Sequence, residues 1–114
     1  MKSKIDTVHK SLKRGRTDVK AIKRNDATHL LIEGDCGEVT QWLPSGSVDL
    51  VITDPPYNKG LNYGRKFNDS KPWDKYYEWL KDKLSDIPRI LSSRGSFYLI
   101  SYPEINARLL PFIE

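Results

Sequence analysis

The segment Val48-Asp-Leu-Val-Ile-Thr-Asp-Pro-Pro-Tyr-Asn58 constrains the fold more than any other stretch of the chain. Its β-branched apolar run suits a strand buried in a parallel sheet. Asp54 ends the run, and Pro55 and Pro56 cannot donate to a sheet ladder, so the strand must stop there. Tyr57 and Asn58 follow at once. A carboxylate, a stiffened turn and an aromatic face thus share the carboxyl end of a strand, which is where open α/β sheets place their ligands. As a plain sequence string, Asp-Pro-Pro-Tyr is equally a strand-ending turn; its place after a buried strand, with a second acidic strand end upstream, favours a site.

The surrounding pattern alternates. His29 to Asp35 reads as a short strand broken at Gly34, Glu38 to Leu43 as a short helix, and Pro44-Ser-Gly-Ser47 as a turn before the strand Val48 to Thr53. Residues 58–72 form a polar loop. Trp73, Tyr76, Tyr77, Leu80, Leu84, Ile87 and Leu91 recur at steps of three and four, predicting a helix whose start is capped by Asp69 or Ser70 with Pro72 in its first turn. Pro88 should kink or interrupt it, and Arg94-Gly95 should end it. Ser96 to Ser101 predicts a further strand and Ile105 to Ile113 a final helix. Such βαβα order implies an α/β fold with a mostly parallel sheet, flanking helices and right-handed crossovers.

At 114 residues, with 38% apolar and 30% charged residues, the chain is at most one modest domain. No apolar stretch approaches the roughly 20 residues needed to cross a bilayer. The N-terminus lacks the apolar region of a secretory signal. The single cysteine, Cys36, excludes an internal disulfide framework, and with only His9 and His29 beside it no zinc site is expected. These features favour the cytoplasm. The net charge of +4 is uneven: residues 1–25 carry nine Lys/Arg against Asp6 and Asp18, while the remainder is net negative. Residues 1–27 therefore read as a basic leader with one loose helix around residues 6–14. That leader is either a solvated, partly disordered tail or a phosphate-neutralising arm.

The turn has a definite chemistry. A nucleobase laid over Tyr57 gains a stacking face worth about 1–3 kcal/mol. The Asp54 carboxylate and the Pro55 carbonyl can both accept from an exocyclic amino group, leaving the nitrogen lone pair free to attack an electrophilic methyl. A base inside a duplex must first be extruded, at a cost of a few kcal/mol. The prolines hold the acceptors in place beforehand. In the loop, Tyr63, Arg65, Lys66 and Phe67 either contact the flipped base and its phosphates or are simply solvated. Trp42, Trp73 and Trp79 read as core or sheet-covering aromatics.

Glu33-Gly-Asp-Cys-Gly-Glu38, Leu43 to Asn58, the helix from Trp73 and the strand from Gly95 together resemble the front part of the permuted β-class of S-adenosylmethionine-dependent DNA amino-methyltransferases. The resemblance covers residues 29 to about 112. It implies a partial Rossmann-like methyltransferase fold over residues 28–114. It also implies Asp54, Pro55, Pro56 and Tyr57 as the catalytic tetrad, with S-adenosylmethionine contacted by Asp35, Cys36 (through its backbone) and Asp54. An N-cap for the following helix is the rival role of Asp35. Aspartate at the first tetrad position leans toward N6 of adenine in double-stranded DNA, with N4 of cytosine as the alternative and RNA amino groups a weaker one. The family's glycine-rich cofactor loop and target-recognition region have no counterpart after Gly95. The chain thus reads as cut off at its C-terminus, depending on a second chain that carries those parts. The competing reading is a non-catalytic remnant or nucleic-acid-binding module.

Overall fold

Asn25 and Asp26 adopt left-handed φ values of 50° and 63°, the geometry of a two-residue hairpin turn. In the computed structural model, which describes residues 3–64 and 67–113, this turn joins strand β1 (Asp18–Arg24) to β2 (Ala27–Glu33). The two pair antiparallel from Asp18↔Glu33 to Arg24↔Ala27. Before them, α1 (Lys4–Arg14) is capped by the Ser3 side chain and closed by Lys13 and Arg14 against its carboxyl end. The basic leader thus contains the expected helix and also a strand that its polar composition concealed.

After β2 come α2 (Cys36–Gln41) and β3 (Val48–Thr53). Next are α3 (Trp73–Leu84), a single turn α4 (Ile87–Ile90), β4 (Leu91–Leu99) and α5 (Pro103–Ile113). The expected helix through Leu91 is therefore divided: it stops at Leu84 and resumes for one turn with Pro88 near its start, where a missing N–H costs nothing. β4 begins at Leu91, earlier than the sequence indicated, because Leu91 pairs with Val48 before a bulge sets Leu50 against Ser96. Neither Asp69 nor Ser70 caps α3, whose N-cap is Pro72 without a side-chain bond.

The chain is mixed α/β with one two-stranded antiparallel sheet, β1–β2, and one two-stranded parallel sheet, β3–β4. This corrects the expectation of a mostly parallel sheet. β2 pairs with β1 through the two-residue hairpin and not with β3. The radius of gyration, 15.7 Å, exceeds the roughly 13 Å of a compact 100-residue domain, in keeping with two separate sheets.

The core lies on one face of the parallel sheet. Tyr76, Leu80, Leu84, Ile87, Ile105 and Leu109 are buried together, with Val51, Phe97 and Leu99 packed on them. The opposite face presents Leu50, Ile52 and Tyr98 to solvent, although parallel strands are normally covered on both sides. Arg89 ties α2 to this body, its guanidinium donating to the carbonyls of Leu43 at 2.7 Å and Thr40 at 2.9 Å, which satisfies the last turn of α2. Replacing Leu80 (0% exposed) by alanine should cost about 2–5 kcal/mol. Leu31→Ala, on the exposed face of β2, should stay within about 0.5 kcal/mol. Urea denaturation of the two variants checks the contrast.

Candidate functional site

Parallel pairing puts the carboxyl ends of β3 and β4 side by side, and the ladder closes with the Ile100 amide donating to the Thr53 carbonyl at 2.9 Å. Beyond that bond the chain turns through Asp54, Pro55 and Pro56. Asp54 is exposed, and its Oδ1 accepts a short hydrogen bond from the Tyr57 hydroxyl. That bond, then partial desolvation and the carboxylate charge, pushes the Tyr57 pKa up to about 12, so the phenol keeps its proton and stays tethered. The half-buried Tyr57 ring meets Tyr102, just after β4, edge to face at 5.1 Å. From below, the buried Tyr76 hydroxyl donates to the Pro56 carbonyl at 2.6 Å. Burial raises the Tyr76 pKa to about 12, so this donor also stays protonated.

The loop after the turn is closed by a polar clasp. Asn58, buried with φ 61°, donates from its side-chain amide to the Lys71 carbonyl at 2.8 Å and accepts from the Lys71 amide at 2.7 Å. Asp69 (4% exposed) accepts from the backbone amides of Asn58, Lys59 and Leu61 at 3.0, 3.2 and 2.8 Å. A buried carboxylate is stable only with such donors. Phe67 lies against Trp79 at 5.1 Å, with the Lys71 ammonium over its ring at 3.9 Å, which makes it part of the loop's packing. Tyr63 is 49% exposed. Arg65 and Lys66 lie outside the described residues. Trp79 is half-buried, but Trp42 and Trp73 are 41% and 44% exposed, more open than core aromatics.

Asp35 stands at the other end of a cleft of about 770 Å³ between β2 and β3, whose walls include Ile32, Asp35, Cys36, Pro55, Pro56 and Lys83. The structure thus brings the two predicted groups, Asp35–Cys36 and the prolines of the turn, to one cavity. Asp35 caps α2, its Oδ1 accepting from Gly37 N at 2.9 Å and Glu38 N at 3.4 Å. Lys83 of α3 lies 2.8 Å from both carboxylate oxygens. Oδ1 is therefore saturated, whereas Oδ2 takes Lys83 alone and keeps a lone pair for one further donor. Cys36 is exposed. Among the described residues, no cluster of three His, Cys, Asp or Glu can hold a metal ion, and no helix is long and apolar enough to cross a membrane.

A family of DNA methylases, acting at amino nitrogens N6 and N4, matches residues 48–113. This chain belongs to it. The match takes in the Asp54–Tyr57 turn, the clasp and α3 to α5. The DNA adenine methyltransferase YhdJ of Escherichia coli K12 is 30% identical over 99 residues, 87% of this chain and 32% of that one. The type II methyltransferase M.BamHI of Bacillus amyloliquefaciens is 28% identical over 84 residues, 74% and 20% of the respective lengths. The type II methyltransferase M.HpaI of Haemophilus parainfluenzae is 40% identical over 57 residues, 50% and 18%. The chain thus spans about a third or less of these relatives. No solved structure matches it.

Four features of this candidate site were not legible in the sequence: Lys83, Tyr76 as a donor, the Asn58–Asp69–Lys71 clasp and the Tyr102 contact. All are long-range, and only the Asn-Asp-Ser run at 68–70 hinted at a polar fold-back. The Lys83 hydrogen bond, with the α2 cap amides, holds the Asp35 carboxyl below its usual value, and Asp35 in turn raises Lys83. A depressed acid stabilises above its unfolded pKa and a raised base below its own, so the pair contributes fully between about pH 4 and pH 10. Lys83→Met should cost at most about 1 kcal/mol at neutral pH, because the pair is partly solvated. Asp35→Ala should cost about 1 kcal/mol more through the lost cap. Chemical denaturation at pH 7 and pH 3 checks both, the Lys83→Met difference shrinking toward zero in acid.

Proposed function

We propose that this chain supplies the catalytic turn of a DNA amino-methyltransferase that modifies N6 of adenine in a base flipped out of the duplex. The observation that carries the reading is the Tyr57 ring, fixed from one side by Asp54 and from another by Tyr102 at the carboxyl end of a parallel strand. Asp54, Pro55, Pro56 and Tyr57 act together. Tyr57 stacks the base, while Asp54 and the Pro55 carbonyl accept from its amino group and turn the nitrogen lone pair outward. Tyr76, holding the Pro56 carbonyl, keeps these acceptors in position before a base arrives. Aspartate as the first of the four residues, together with a relative named as a DNA adenine methyltransferase, favours adenine; N4 of cytosine is the alternative within the same chemistry.

S-adenosylmethionine supplies the electrophilic methyl group when bound. The donor set fits its adenosine end: Oδ2 of Asp35 retains a lone pair for an amino group, Cys36 offers backbone, and the apolar wall of the cleft includes Pro55 and Pro56 of the turn. Residues 28–114 form the catalytic part, in a Rossmann-like arrangement completed by a polypeptide that brings the glycine-rich loop and target-recognition region. The chain matches about a third or less of the length of the relatives. Double-stranded DNA is the substrate and the cytoplasm the compartment.

With that complement present, radiolabelled methyl transfer to adenine-containing DNA is expected, and Asp54→Ala should slow it at least about 10²-fold. Undiminished transfer by the variant would refute the assignment. The folded basic leader supports a second reading, a nucleic-acid-binding module, since Lys20, Lys23 and Arg24 are exposed on the hairpin. In that case the triple change Lys20→Gln, Lys23→Gln, Arg24→Gln should abolish DNA affinity at low salt in an anisotropy titration, whereas unchanged affinity would leave the leader a solvated tail.

A further inference from the structure

Lys59 is a cation held in place beside the site. Its backbone cannot wander: Asn58 before it is fixed to Lys71, and its own amide donates to Asp69 at 3.2 Å. Its ammonium rests 4.9 Å from the centroid of Tyr102 and 5.6 Å from that of Trp73, within the range of attraction between a cation and an aromatic face. Both rings are nearly half exposed. Among the described residues no carboxylate pairs with Lys59, and the residue is exposed. Tyr102 is the shared element: one part of its ring carries the ammonium, and the ring also braces Tyr57 at 5.1 Å. The charge therefore sits one aromatic ring away from the proposed base platform.

We infer that Lys59 is a phosphate anchor for the nucleotide whose base enters at Asp54 and Tyr57, with Tyr102 and Trp73 as the residues that position its ammonium. This rests on the base-flipping reading above. An extruded nucleotide stays joined to the strand through phosphodiesters on both sides, and these must lie close to the mouth of the base site. A lysine ammonium meets a phosphate as a point charge without reading base identity. The ligand class is thus the DNA backbone itself, and the contact fixes where along the strand the base swings out.

The test uses the full 114-residue chain and a fluorescein-labelled duplex carrying one unpaired adenine, alongside its fully paired counterpart, titrated by anisotropy across a salt series. Lys59→Gln should make the plot of log affinity against log salt shallower by about 0.9, the loss of one phosphate contact, and Lys59→Arg should restore it. Lys75→Gln, an exposed lysine on α3 paired with Glu78, should leave the slope unchanged. Equal slopes for Lys59→Gln and the parent chain on both duplexes would overturn the anchor. A parent chain that binds the unpaired-adenine duplex no better than the paired one would instead refute base flipping, and the slopes on the paired duplex would still decide Lys59. Absence of salt-dependent binding would overturn both.

Discussion

Tyr76 stands where the apolar core and the polar turn meet. Its ring is buried with Leu80, Ile105 and Leu109, and its hydroxyl reaches the Pro56 carbonyl. Packing energy collected over a whole helix interface is thereby applied to one backbone atom of the turn. The prolines restrict φ but do not set where the turn points; the hydroxyl does. With Pro56 held from beneath, the Tyr57 side chain is held in turn by its bond to Asp54 and by the Tyr102 ring. Rigidity passes from core to turn to ring, each step through a named contact.

The polar clasp performs the matching task on the other side of Tyr57. Three amides converge on Asp69, and Asn58 and Lys71 exchange hydrogen bonds. Burying a carboxylate is costly, and these donors offset that cost only in one loop geometry. The left-handed Asn58 follows from this: its side chain can reach Lys71 only if the backbone reverses there. Lys59 inherits a fixed origin from the same bonds, which is why a long flexible side chain can serve as a defined charge.

Much of the layout could be read from the residues. The apolar stripe Tyr76, Leu80, Leu84 and Ile87 identified the core, and the Val48–Tyr57 segment identified the strand, its end and the aromatic face. The hairpin was hidden because four of the seven residues Asp18–Arg24 are charged, and charged residues on an exposed strand mask its alternation. Asn25-Asp26, a pair tolerant of positive φ, was the overlooked signal. The sheet was misjudged because strand order is a long-range property: nothing local tells β2 to pair with β1 rather than β3. Asp35 illustrates the site's limits. Its position at a strand end was legible, but its attachment to Lys83, 48 residues away, was not.

The clasp has a further consequence. Because Asn58 is joined to Lys71 and Asp69 gathers the amides of Asn58, Lys59 and Leu61, the neck closes at those residues, and the number of residues in the span between Leu61 and Phe67 need not affect the geometry on either side of it. Evolution, or an engineer, can lengthen, shorten or exchange that span as a cassette while the tyrosine platform stays still. Variation in reach toward a nucleic acid and conservation of chemistry can then occupy neighbouring positions of one polypeptide without interfering.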